Sequence, residues 1–181
     1  MIKAVTEKVR CNKPSKAVEQ GFTLVELMVA VAVLAIVTTV AVPSFNSLVQ
    51  GNRLISGANQ LLSAYQGARS EAIKRSQNIV LCATTDGASC AAKADWSSWL
   101  VLAGNEIVAQ GHVANGLVIT GPADTNIVFT AGGLVRDNNG AGLATSLQVC
   151  TKSTSVTDNT RTLAFVAGGA ISVARGVSTC A

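Results

Sequence analysis

Side chains suited to chemistry are scarce in this sequence. Among 181 residues there is one histidine, His112, and Asp and Glu together number ten. A Ser-His-Asp or Cys-His arrangement needs an imidazole, so either would have to be built on His112. That residue lies in Gln110-Gly111-His112, which reads as an exposed turn and not as a catalytic position. Asp86, Asp95, Asp124, Asp137 and Asp158 are scattered through loop-like sequence. No calcium loop of the Asp-x-Asn-x-Asn type occurs, and Asp137-Asn138-Asn139-Gly140 reads as a turn. Cys82 and Cys90 are too far apart for a zinc knuckle. No catalytic residue, metal or cofactor is therefore expected, and a secreted enzyme carried on an anchor has the least support.

Aromatic residues are also rare, at 4 %, although 49 % of the chain is hydrophobic. Ala, Val, Leu and Gly carry the apolar content, so the core must rest on many small contacts. Trp96 and Trp99 are assigned to core anchoring and loop packing in preference to ligand stacking. Charge is sparse and uneven. Residues 1–21 hold five basic and two acidic residues, and the remainder holds nine against eight. The net charge of +4 is thus mostly a property of the first segment, and it is no signal for nucleic acid.

One long apolar run is present, residues 22–42, interrupted only by Thr23, Glu26, Thr38 and Thr39. As a helix it would span roughly 30 Å, about one hydrocarbon core. The basic segment before it places the N-terminus in the cytoplasm. An ordinary secretory signal or anchor fits poorly on two counts. Small-residue cleavage sites follow the apolar stretch, whereas the Gly21 junction precedes it. Glu26 also sits near the start of the run, and a carboxylate deeper in a bilayer costs about 2.5 kcal/mol or more.

A basic leader ending in Gly21, then Phe22-Thr23-Leu24-Val25-Glu26-Leu27, resembles the type IV pilin superfamily. The resemblance implies cleavage by prepilin peptidase between Gly21 and Phe22 and N-methylation of Phe22. It implies that Glu26 pairs with the Phe22 amine of the same or a neighbouring subunit. The physics agrees, because a buried charge without its partner is strongly destabilising. Pro43 matches the proline that kinks this helix in many pilins. The partners implied are other pilins or pseudopilins, the peptidase and the inner membrane. The implied location is single-pass in that membrane with the C-terminal domain periplasmic, then pilus or pseudopilus.

After Pro43 the apolar residues Phe45, Leu48, Val49, Ile55, Ala58, Leu61, Leu62, Tyr65, Ala68, Ala72 and Ile73 recur every three or four positions. This predicts an amphipathic helix with one buried face, continuing to about Ser76. From Asn78 the pattern is strand-like. Strands are expected at 78–82, 99–103, 106–109, 117–120, 126–130, 145–151, 161–167 and 170–174. Gly104-Asn105 and Gly168-Gly169 read as two-residue hairpin turns. The fold class is α+β, a long helix packed on an antiparallel β-domain. The expected organisation is 1–21 cleaved leader, 22–43 membrane or filament-core helix, 44–77 amphipathic half, and 78–181 β-rich domain.

Within that domain, Ala68-Arg69-Ser70-Glu71-Ala72, Val80-Leu81-Cys82 and the run from Asp95 through Trp96 and Trp99 to Val101 resemble the GspH/FimT family. Ile127-Val128-Phe129 with Gly132-Gly133, and Leu147-Gln148-Val149-Cys150, continue the likeness. Its members are minor pilins and pseudopilins of type IV pili and type II secretion systems, with a long helix and a domain of two sheets. The function implied is a structural subunit that initiates or joins such a filament. Removal of the leader discards Cys11 and leaves Cys82, Cys90, Cys150 and Cys180, an even set suited to an oxidising compartment. Local pairing, Cys82–Cys90 and Cys150–Cys180, is preferred among three connectivities that all stay open.

The alternative function is DNA binding in natural transformation. Some FimT-type pilins bind DNA through Gly-Arg-x-Arg in the last hairpin, where arginines contact phosphates. The matching stretch here is Gly169-Ala170-Ile171-Ser172, neutral at both arginine positions. Arg161 and Arg175 are the remaining candidates for DNA contact, and surface charge or structural ion pairing is the preferred reading of both.

Overall fold

A computed structural model describes residues 21–180. The chain divides between Val40 and Ala41 into two units. One helix, α1 (Leu24–Arg75), begins in the first and ends in the second. Its start is capped by Thr23. The Thr23 hydroxyl accepts the Glu26 amide at 3.2 Å, and the Leu27 amide bonds the Thr23 carbonyl at 3.2 Å. Thr at the N-cap with Glu three residues on is the pattern that satisfies the free amides of a first turn. The helix closes with Gln77 N bonding Ala72 O and Ser76 N bonding Ile73 O, both at 3.3 Å. Ser76 takes the left-handed conformation this closure needs, with φ 51°.

In the second unit the helix lies on two antiparallel sheets. Sheet A contains β1 (Ile79–Ala83), β2 (Ser98–Ala103), β3 (Glu106–His112), β5 (Ile127–Phe129) and β6 (Val135–Arg136), in the order β3-β2-β1-β5-β6. Sheet B contains β4 (Leu117–Thr120), β7 (Thr145–Thr151), β8 (Thr160–Phe165) and β9 (Ile171–Gly176), in the order β4-β7-β8-β9. Eight of these strands fall where the apolar pattern placed them, with ends shifted by a few residues. The two-residue β6 is too short to carry a pattern.

Three expectations need correction. Gln110-Gly111-His112 is no turn. These residues finish β3, paired with Leu100, Trp99 and Ser98. Gly111 is needed there because a Cβ would collide with the Trp99 ring. The Gly168-Gly169 hairpin is longer than two residues. Val166 N bonds Ala170 O, Gly169 N bonds Val166 O, and only Gly169 has positive φ, at 79°. This is a turn followed by one left-handed glycine, a geometry of longer hairpins. Gly104-Asn105 does join Ala103 to its partner Glu106 directly, with φ 61° at Gly104.

The third correction concerns the buried face of α1. Leu54, Gly57, Ala58, Leu61, Ala64, Tyr65, Ala68 and Ala72 are buried. Phe45, Leu48, Ile55 and Ile73, expected on that face, are exposed. Small residues displace large ones at the contact because the helix sits close to the sheets. A Cβ on Gly57 would stand 2.9 Å from Leu117 Cδ1. Close-packed interiors favour such interdigitation over size alone. Tyr65 is the bulkiest residue on this face and joins both sheets. Its ring is 4.9 Å from Phe129 of sheet A, edge to face, and 5.3 Å from Phe165 of sheet B.

Candidate functional site

The first unit has no core of its own among the described residues. Phe22 is 84 % exposed, and the apolar side chains from Leu24 to Val40 all face outward. The helix is long and apolar enough to cross a membrane. Its few polar groups are handled locally. Thr38 Oγ1 donates to Ala35 O at 2.9 Å and Thr39 Oγ1 to Ile36 O at 2.7 Å, so neither hydroxyl needs water. Glu26 differs. It occupies the third helical position, where the helix dipole favours an anion. Its carboxylate has no hydrogen-bond or ion-pair partner among the described residues. Gly21 and Phe22 precede the cap in irregular, exposed conformation. Residues 1–20, with Cys11 and the basic leader, lie outside the described part.

The exposed apolar surface continues past Pro43, which sits inside α1. Pro43 has no amide proton, so the helix loses one bond there. Phe45 is 67 % exposed, Leu48 60 % and Ile55 42 %. Between Ser44 and Ala68 the only charged residue is Arg53. A water-facing helix surface ordinarily carries charges of both signs. Depletion of charge is a mark of surfaces buried in assembly.

The β-domain is stapled. Cys82 and Cys90 form a disulfide with Cα atoms 5.5 Å apart, and Cys150 and Cys180 form another at 5.7 Å. The first closes a small loop around Asp86. Asp86 Oδ1 accepts the amides of Ala88 and Ser89, each at 2.9 Å, and Oδ2 accepts the Ser89 hydroxyl at 2.8 Å. These donors hold its carboxyl far below the usual aspartate range. The second ties the C-terminal tail to β7. Asn159 assists, accepting Ser178 N at 3.0 Å and donating to Ser178 O at 2.8 Å.

The two arginines considered for DNA contact separate in the structure. Arg161 is buried, not a surface charge, and it makes no ion pair among the described residues. Its Nη1 donates to Asp158 O at 3.0 Å and Thr160 O at 2.7 Å. Burial of a cation against carbonyls made it invisible to a pattern reading of strand β8. Arg175, opposite it on β9, is exposed. Ala170 and Ser172 leave the hairpin neutral, so Arg175 stands as the only exposed cation on β9. Trp96 and Trp99 are both buried, and Trp96 Nε1 donates to Pro122 O at 3.0 Å. His112 is exposed at the end of β3.

The family described as type II transport protein GspH matches residues 57–173. The prokaryotic N-terminal methylation motif matches residues 16–42. Fimbrial protein EcpC of Eikenella corrodens is 29 % identical over 116 residues, covering 64 % of this chain and 63 % of that protein, so the match spans less than two thirds of the relative. The solved structure of the type IV minor pilin FimU of Pseudomonas aeruginosa is similar at TM-score 0.52 and 25 % identity, over 70 % of this chain and 92 % of that one. A second crystal form of FimU gives TM-score 0.50, also at 25 % identity, over 67 % and 92 %.

Proposed function

The chain belongs to the type II transport protein GspH family, the minor pilins and pseudopilins, and from that premise we propose how it is processed, placed and assembled. Prepilin peptidase cuts between Gly21 and Phe22, and the new Phe22 amine is methylated. The helix holds the precursor in the inner membrane with the β-domain in the periplasm. The subunit then joins or initiates a type IV pilus or a type II secretion pseudopilus as a structural part and not as an enzyme.

One observation carries this reading. Glu26 sits near the start of a helix whose apolar residues from Leu24 to Val40 are all exposed, and it finds no partner in its own described chain. An ionised carboxylate in an apolar environment requires an opposite charge. Cleavage after Gly21 would create one four residues away. The Phe22 ammonium of the same or an adjacent subunit would supply it, which makes pairing conditional on processing. The charge-poor stretch from Ser44 to Ala68 extends the surface offered to neighbours. Pro43 would bend the helix between its two environments.

Glu26→Ala tests the pairing. The variant is expected to be cleaved normally and to remain in the membrane, while its share of sheared filaments falls by tenfold or more by immunoblot. Entry into filaments at the unaltered level would sink the charge-pairing argument. DNA binding has no specific observation in its favour, since Arg161 is buried and the hairpin lacks both motif arginines.

A further inference from the structure

Arg69 of α1 is held where the two sheets meet. Its Nε donates to Gly133 O at 3.0 Å, and Nη1 donates to Gly169 O at 2.9 Å. The first carbonyl belongs to the β5–β6 turn of sheet A, the second to the β8–β9 turn of sheet B. Both glycines have positive φ, at 74° and 79°. A Cβ on Gly169 would lie 2.6 Å from Gly133 O and 2.9 Å from Arg69 Cζ. The guanidinium is therefore oriented by backbone that accepts no side chain.

Two neutral carbonyls engage only part of its five-donor fork. Among the described residues Arg69 has no carboxylate partner. It lines an open groove of about 510 Å³ whose other walls include Tyr65, Gln66, Ser70, Ile73 and Ile171. Among the described residues no acidic side chain lines the groove. Gln66 and Ser70 offer polar groups that make no side-chain hydrogen bond within the described residues. Tyr65 is 2 % exposed, and its buried hydroxyl has no partner among the described residues. Ile73, 52 % exposed, supplies an apolar wall.

We propose that this groove binds a carboxylate presented beside an aliphatic surface, namely an Asp or Glu side chain of an adjacent pilin-like subunit. Charge complementarity selects the occupant. A fixed cation with unused donors and no internal acid matches one carboxylate, and a planar fork matches it bidentately. A nucleic acid is a poorer match, because its affinity comes from neutralising several phosphates and, among the described residues, Arg69 is the only cation lining the groove. The identity of the partner rests on the filament reading above; the carboxylate chemistry does not.

The test is a titration of the isotopically labelled full chain in detergent, followed by NMR at the Arg69 side-chain Nε–H and the Ser70 amide. Isobutyrate is expected to give saturable shifts, and isobutyramide none. Ile73→Asp plants a carboxylate in the groove beside Arg69 and removes neither the guanidinium nor the two glycine carbonyls, so it should weaken isobutyrate at least tenfold. Equal response to isobutyramide, indifference to Ile73→Asp, or tighter binding of inorganic phosphate than of isobutyrate would each overturn the proposal. In cells, a photo-crosslinker at Gln66 should join a pilin-like subunit at a peptide containing Asp or Glu, and Ile73→Asp should remove that adduct. An adduct unchanged by Ile73→Asp, or none while the chain is present in filaments, counts against the site. Absence of the chain from filaments would instead count against the filament reading, and the titration would still decide the groove.

Discussion

The two ends of α1 teach opposite lessons about what a surface is for. From Leu24 to Val40 the apolar residues are all exposed, and the one carboxylate has no partner among the described residues. From Leu54 to Ala72 it buries a narrow face of Ala, Gly, Leu and Tyr against two sheets. The second region satisfies itself. Its apolar face is covered by the sheets, and two disulfides close its loops. The first region bonds Thr23, Thr38 and Thr39 locally but leaves its whole apolar surface exposed. Changes in the β-domain should therefore move folding stability and leave processing alone, whereas changes near Glu26 should do the reverse.

The largest stability effect should come from the Cys150–Cys180 staple, which closes a 30-residue separation. Replacing both cysteines with serine should cost about 3.5 kcal/mol by the chain-entropy relation, read as a lower denaturant midpoint of the β-domain. Cleavage after Gly21 should proceed unchanged. A variant that folds equally well but is no longer cleaved would break the division between the regions.

A smaller effect of opposite sign is expected at the end of the helix. Ser76 holds φ 51° without being glycine. Ser76→Gly should remove that strain and stabilise the domain by about 1 kcal/mol, seen as a raised midpoint. Loss of stability there would mean that the serine side chain has a role that its backbone does not show.

The smallest effect is a pH dependence confined to one loop. The depressed Asp86 carboxyl contributes stability that is fully present above its unfolded range near 4 and is lost as pH falls towards its folded value. Hydrogen exchange at the Ala88 and Ser89 amides, normalised for intrinsic rate, should show protection falling below about pH 4. Asp86→Asn should lack that dependence. A pH response identical in the two proteins would contradict the assignment.

Much of this was legible in the residues. Short alternating segments bounded by Gly, Asn and Asp marked eight strands, and Gly104-Asn105 marked a hairpin by itself. Close approach was not legible. The buried helix face departs from the apolar pattern because Ile55 and Ile73 outweigh Gly57 and Ala64 in hydrophobicity, whereas contact distance favours the small ones. Gly111 looked like a turn residue and is there to clear Trp99. Arg161 looked like a surface charge because its carbonyl partners are backbone, which no side-chain pattern reveals. Arg69 had a signal in hindsight, a cation beside buried Ala68 in a chain with glycines at 133 and 169. Its meaning needed the two turns brought together. At the candidate site Gly21, Phe22 and Glu26 are singled out by residue order alone, since the apolar run and its single acid are properties of the chain itself, and their processing and pairing stand as proposals.

The most direct test of the central claim is the intact mass of the subunit recovered from sheared filaments or purified pseudopili. The account predicts a chain beginning at Phe22, heavier by one methyl group, with two disulfides and no Cys11. A chain that retains the leader, or one that begins after the apolar run, would contradict it.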